Sequence, residues 1–266
     1  MKLTANGIDI NYELEGQGPV VTFSHSLACS LAMWDEQATA LRTRYRVLRY
    51  DTRGHGGTSA PSGAYTLEQL ADDLHALLGG LGITETHFVG LSMGGMIGQV
   101  YALQHPTMVK SLVLCDTTSR YPAAAGPIWE ERIRTTEAKG MEPHVDPTLA
   151  RWFTAPFRAR RKDMMTRVGA LIRNTPPQGY IGCCHALPKI NVTDRLGAVA
   201  CAALVIVGEE DPGTPVEMAR DIHAALPSAE LAVLRSASHL SNLEQPEEFN
   251  RVLLRFLDKA SGQSPL

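Results

Sequence analysis

The chain has 266 residues, 44% of them hydrophobic and 20% charged, with a formal net charge of −3. That is enough for one sizeable core, and it leaves no basic field to recruit nucleic acid and no acidic tail. No stretch reaches the roughly 18 apolar residues of a membrane span, and residues 1–7 lack the apolar run of a signal peptide, so a cytoplasmic protein is expected.

Asn6-Gly7 separates Lys2–Ala5 from Ile8–Glu15, where Ile8, Ile10, Tyr12 and Leu14 alternate with polar residues, a hairpin with one half-buried face. Pro19 introduces a strand over 20–23 that ends in Ser24-His25-Ser26-Leu27. The strand 46–51 (R-V-L-R-Y-D) runs into the loop T-R-G-H-G-G, where His55 reads as scaffolding and Arg53 as a partner for Asp51. Leu67, Leu70, Ala71, Leu74, Leu77, Leu78 and Leu81 recur at helical spacing, so 66–81 is an amphipathic helix closed by Gly79, Gly80 and Gly82. A short strand over 87–89 then leads into Gly90-Leu91-Ser92-Met93-Gly94-Gly95 and a helix that stops near His105-Pro106, and Val109–Cys115 is a buried strand.

Over 121–196 the strand-like runs disappear and prolines and helix-compatible basic residues take over. The sheet resumes at 203–207, followed by a helix over 216–226, a last strand at 231–234 and a closing helix at 246–257. Short apolar strands alternating with helices predict an α/β fold, a mostly parallel sheet with helices on both faces. Residues 1–120 and 197–266 would form its core, and 121–196 a helical cap inserted over an active site. The competing reading of 121–196 is a structural lobe with no part in binding.

A strand that ends in G-x-S-x-G and passes at once into a helix is the pattern of a nucleophile elbow, with glycines where side chains would collide across the turn. Alone it is weak: with 23 glycines, it arises by chance in roughly one such sequence in ten. A serine hydroxyl needs a base within hydrogen-bond reach and an acid to orient that base. Asp211 directly follows the strand 203–207 and His239 directly follows 231–234, the order Ser, acid, His. Glu209 and Glu210 compete with Asp211, which is also a good helix N-cap; the competing reading of His239 is a surface loop histidine. The backbone N–H groups of Met93 and Leu27 are the candidate oxyanion donors. His25 lies beside Leu27, and a structural histidine is favoured there over a part in proton transfer. Trp129, Trp152 and Phe153 either roof a pocket or form a small core of their own. Arg132, Arg134, Arg151 and Arg173 read mostly as solvated charges, one of which would hold a substrate carboxylate. Five cysteines without C-x-x-C spacing, Cys183 and Cys184 adjacent among them, argue for free packing thiols and no metal site.

The chain carries H-S-L at 25–27, M-W at 33–34, R-V-L-R-Y-D-T-R-G-H-G at 46–56, G-L-S-M-G-G at 90–95, L-V-L-C at 112–115, R-W-F-T at 151–154, G-Y-I-G-C-C at 179–184 and S-H-L-S-N-L-E at 238–244. Together they resemble the 3-oxoadipate enol-lactonases of the α/β-hydrolase superfamily, over about residues 8 to 258. The elbow and the R-G-H-G loop are shared across the superfamily, whereas R-W-F-T and G-Y-x-G-C-C are narrower. The resemblance implies cofactor-free hydrolysis of a small lactone or ester, as in aromatic degradation, by a monomer or homodimer. It implies Ser92 as nucleophile, Asp211 as acid, His239 as base and Leu27 and Met93 as oxyanion hole. The candidate substrate contacts read from the residues themselves are His25, Trp129, Arg132, Arg134, Arg151 and Trp152. The chain departs from that pattern at Ala28-Cys29, where a glycine usually follows H-S-L, and at Pro188-Lys189, which would reshape one pocket wall. A broad carboxylesterase, an acyl-homoserine lactonase, a perhydrolase or a ligand receptor on the same fold are the rivals. Haloalkane dehalogenation is disfavoured, since it needs a carboxylate in place of Ser92.

Overall fold

The computed structural model describes residues 1–262. Asn6 and Gly7 both take positive φ, 48° and 76°, the backbone of a two-residue hairpin turn. They join β1 (Lys2–Ala5) to β2 (Ile8–Glu15), as the Asn-Gly pair predicts. β3 (Val20–Ser24), β4 (Arg46–Tyr50), β5 (Thr86–Leu91), β6 (Val109–Cys115), β7 (Ala202–Gly208) and β8 (Ala229–Leu234) complete an eight-stranded sheet, ordered β1-β2-β4-β3-β5-β6-β7-β8. The hairpin pairs antiparallel, and every pairing from β4 to β8 is parallel. The central strand β5 is buried at all six positions, as a strand covered on both faces must be.

The covering layers come from the crossovers. α1 (Asp35–Leu41) was not foreseen, because seven residues with two buried apolar side chains, Ala38 and Leu41, make too short a periodic signal. α2 (Leu67–Gly80) buries Leu67, Leu70, Leu74, Leu77 and Leu78, the apolar stripe read from the sequence, and Thr66 caps its first turn by accepting the Gln69 N–H. It packs on α3 (Met93–Gln104), which follows β5. Between β6 and β7 the described chain forms helices, α4 (Gly126–Lys139), α5 (Val145–Trp152), α6 (Ala155–Arg160), α7 (Lys162–Asn174), α8 (Pro177–Ala186) and short 3-10 turns, with an isolated antiparallel bridge between Arg120 and Asn191. α5 and α7 bury Val145, Leu149, Val168 and Ile172 against each other. α9 (Val216–Ala225), α10 (Ser241–Glu244) and α11 (Pro246–Ser261) follow, α11 packing with α1. No helix among the described residues is long and apolar enough to cross a membrane.

The helical insert docks on the loop after β4 by direct backbone contact. A Cβ on Gly54 would lie 2.5 Å from the Gly179 Cα, so the R-G-H-G and G-Y-I-G stretches meet where neither has a side chain. Arg53 in that loop does not pair with Asp51. Its Nε and Nη2 reach the Asp73 carboxylate on α2 at 2.7 and 2.6 Å, in a buried bidentate pair. Asp51 instead accepts backbone N–H groups from Leu31 and Gly57 at 2.7 and 2.8 Å. A pair with both partners this buried is costly to break from one side. Asp73→Ala should lower stability by about 3–5 kcal/mol in urea titration; a loss under about 1 kcal/mol would place the pair with weak surface contacts.

Candidate active site

Ser92 is the single residue between the end of β5 and the start of α3, and its backbone sits at φ 55°, ψ −113°. Three hydrogen bonds hold it there: its N–H donates to the Cys115 carbonyl at 2.9 Å, and its own carbonyl accepts the Thr117 hydroxyl at 2.7 Å and the Met96 N–H at 3.1 Å. The collisions that glycine avoids are of two kinds. A Cβ on Gly90 would lie 2.2 Å from the Gly94 oxygen across the turn, and one on Gly94 would lie 2.1 Å from the Ser24 oxygen on β3.

Asp211 and His239 meet across the C-terminal ends of β7 and β8. His239 Nδ1–H donates to the Asp211 carboxylate at 2.7 Å, and both residues are buried. The same carboxylate accepts the N–H groups of Gly213 and Thr214 at 2.7 and 3.1 Å and the Thr214 hydroxyl at 2.7 Å. Burial pushes the Asp211 carboxyl up, but the neighbouring His239 and the Thr214 hydrogen bonds outweigh it, and the net shift is downward. Glu209 and Glu210 are exposed and make no bond to His239.

The loop carrying Leu27 is pinned by two buried histidines. His25 Nδ1–H donates to the Ser26 carbonyl at 2.8 Å while its Nε2 accepts the Thr52 N–H at 2.9 Å. His55 Nδ1–H donates to the Arg53 carbonyl at 3.2 Å while its Nε2 accepts the Ala28 N–H at 3.0 Å. Each ring uses one nitrogen as donor and one as acceptor, so both are neutral. Burial lowers them, to about 4 for His25 and to about 3 for His55, which the His25 ring also disfavours charging. His25 is thus fully occupied and fully buried and does not reach the cavity, so it is no substrate contact.

Ser92, His239, Leu27 and Thr214 line one cavity of about 240 Å³, with Trp129 and Trp152 among its apolar walls. Met93, fully buried, opens α3, where the first N–H groups have no partner inside the helix. Arg132 and Arg151 also line the cavity, and neither guanidinium has an ion pair among the described residues. Arg132 lies over the Trp129 ring at 4.5 Å. Arg151 is pushed down to about 10, first by burial and then by the Arg132 charge, and stays protonated at neutral pH. Arg134 does not join them: it is exposed and bonded to Glu131 on the outer side of α4, so it too is no substrate contact. Arg173 likewise pairs with Glu142 on the surface.

The stretches R-W-F-T and S-H-L-S-N-L-E are the two sides of one junction. The Ser238 hydroxyl donates to the Arg151 carbonyl at 2.9 Å, the Leu240 N–H donates to the Trp152 carbonyl at 3.2 Å, and Thr154 donates its N–H at 3.1 Å and its hydroxyl to Glu244. Asp116 is a buried polar residue of the site that no motif in the sequence marks. At φ 43° after β6, it accepts the Gly208 N–H at 2.8 Å and the Ser241 hydroxyl at 2.6 Å, tying the end of β7 to the helix after His239. Burial, then the Asp211 charge, raises its carboxyl well above the usual range. Its place, one residue beyond L-V-L-C at the same sheet edge as Ser92, was the available signal.

The family profile for the alpha/beta hydrolase fold matches residues 19–246. A 3-oxoadipate enol-lactonase of Acinetobacter baylyi is 34% identical over 94% of each chain. A protein of Stutzerimonas stutzeri named as a putative carbamate hydrolase is 29% identical over 96% of this chain and 98% of its own. The crystal structure of the enol-lactonase from Burkholderia xenovorans superimposes with a TM-score of 0.93 at 33% identity, covering 97% of this chain and 99% of that one.

The buried imidazoles give stability a predictable pH dependence. In the unfolded chain His25, His55 and His87 titrate at 6.5, but burial holds them at about 4, about 3 and about 4 in the fold. Between those limits the unfolded chain binds more protons, so each imidazole removes roughly 1.4 kcal/mol per pH unit as pH falls. Asp116 acts in the opposite sense, because its raised carboxyl keeps a proton that the unfolded chain releases. Glu36 and Glu244, also raised by burial, act with Asp116, and His105 and His144, also lowered by burial, act with the other imidazoles; five imidazoles against three carboxyls leave the slope favouring neutral pH. Calorimetry should therefore give a lower Tm at about pH 5 than at about pH 7, and an equal or higher one would contradict the neutral, buried assignment.

Proposed function

The chain belongs to the alpha/beta hydrolase family as an enol-lactonase-like member, a hydrolase, and we propose that it opens a small carboxylate-bearing lactone through an acyl-enzyme on Ser92. The observation that carries this reading is the cavity itself. It joins Ser92 to a histidine already hydrogen-bonded to a buried carboxylate, and it is walled by two guanidiniums without ion pairs among the described residues.

In this mechanism the Ser92 hydroxyl attacks the lactone carbonyl while His239 Nε2 takes its proton. Asp211 holds the Nδ1–H tautomer and stabilises the imidazolium that forms. The N–H groups of Leu27 and Met93 receive the oxyanion. As the intermediate collapses, the ring C–O bond breaks and His239 passes its proton to the leaving oxygen. That oxygen remains tethered in the acyl-enzyme. Water, deprotonated by the same imidazole, then attacks the acyl carbon and releases Ser92. No step needs a metal or cofactor.

Arg151 and Arg132 are the groups that would bind a substrate carboxylate, since a planar guanidinium matches a carboxylate in charge and geometry. The cavity of about 240 Å³ is smaller than the roughly 300–1,000 Å³ of drug-sized ligand sites. Size and charge together favour a compact acid lactone over a long acyl chain. Residues 121–196 then act as a cap that supplies the recognition charges, while the sheet supplies the chemistry. Of the substrates compared, an enol-lactone of the 3-oxoadipate type fits both properties.

Ser92→Ala should fold normally and keep under roughly 1% of turnover; retention of more than a few per cent would remove Ser92 from the mechanism. Arg151→Gln should raise KM for the acid enol-lactone at least about tenfold and leave p-nitrophenyl acetate nearly unchanged. Equal effects on the two substrates, or a preference of the native enzyme for an acyl-homoserine lactone, would overturn the carboxylate assignment.

A further inference from the structure

Seven buried side-chain polar atoms lack a hydrogen-bond partner among the described residues, and of the residues that carry them only Ser26 lines the cavity with Ser92. Ser26 is 1% exposed. Its backbone is fully used: the N–H donates to the Met33 sulfur at 3.3 Å, and the carbonyl accepts the Cys29 N–H at 3.1 Å and the His25 Nδ1–H at 2.8 Å. The hydroxyl is the one polar group of this residue left over. A buried hydroxyl without a partner is a desolvation cost that alanine would avoid. The cost is recovered if a ligand accepts its hydrogen bond.

From this geometry we infer that the Ser26 hydroxyl is a third oxyanion donor, completing the pair of backbone N–H groups at Leu27 and Met93. Ser26 directly precedes Leu27, and the two residues line the same cavity as Ser92. The loop that carries it is fixed from both sides, by His25 bonded to the Thr52 N–H and by His55 bonded to the Ala28 N–H. A donor already desolvated and held in place needs no reorganisation when charge develops, the condition under which such a bond serves the transition state more than the ground state. Ser26 donates throughout and exchanges no proton, so the proton path between Ser92, His239 and the leaving oxygen is unchanged. The role rests on the acyl-enzyme reading above.

The test compares Ser26→Ala, Ser26→Cys and Ser92→Ala with p-nitrophenyl acetate as substrate and phenylboronic acid as tetrahedral mimic. Ser26→Ala should lower kcat roughly tenfold with KM within about twofold, and weaken boronate inhibition by a similar factor. Its Tm should stay level or rise, because an unpaired buried hydroxyl is removed. Ser26→Cys, which keeps the shape but is a poor donor, should lose kcat and boronate affinity likewise and decides the matter if the alanine variant does not fold. Unchanged kcat, a loss of kcat with boronate affinity retained, or a loss that tracks a falling Tm would each overturn the assignment. If Ser92→Ala is inactive while Ser26→Ala is fully active, the role of Ser26 alone is refuted; if Ser92→Ala stays active, the acyl-enzyme reading falls and Ser26 with it.

Discussion

The backbone of Ser92 is the constraint on which the rest depends. A non-glycine residue at φ 55°, ψ −113° costs on the order of 1–3 kcal/mol, and it persists only where its surroundings over-determine it. Here three parallel strands do so. β5 delivers the residue, β6 accepts its N–H at Cys115, and β3 approaches Gly94 so closely that no side chain fits between them. The turn lifts the hydroxyl out of the sheet into the cavity, which neither a helix nor a strand would do at this position.

Around that turn, charge is sorted by burial. Asp211 is buried yet held ionised by His239 and by N–H and O–H donors, whereas the carboxyl of Asp116, a short way along the same sheet edge, is pushed up by burial and braces β7 against α10. His25 and His55 are buried as neutral rings and act as two-ended struts for the Leu27 loop. On the facing wall two guanidiniums lack ion pairs among the described residues. The surface residues Arg134 and Arg173, by contrast, pair with nearby glutamates.

How much of this was legible in the chain follows from how local each signal is. The hairpin, α2 and the strand-turn-helix at Ser92 are set by neighbours within a few residues, and they emerge where periodicity and turn chemistry put them. Asp211 and His239 were placed as candidates by strand order, a topological rule that needs no distances. Arg53 was misread because its partner Asp73 lies 20 residues away on α2, beyond any local pattern. Arg132 and Arg134 are two residues apart on one helix and therefore face different sides. Trp129 and Arg132, which line the cavity, and the buried Thr136 show which side faces inward, and α4 is too polar for its sequence to reveal that stripe. Ser26 was invisible for a further reason: a missing hydrogen bond is a property of the assembled structure.

Covalent labelling tests the assignment of the nucleophile most directly. A fluorophosphonate mimics the tetrahedral intermediate and bonds irreversibly to an activated serine, so peptide mapping of the native protein should locate a single adduct on Ser92. The same treatment of His239→Ala should label at least about 100-fold more slowly, as expected when the base is removed. An adduct on another residue, no adduct, or labelling of His239→Ala at the native rate would contradict an acyl-enzyme on Ser92.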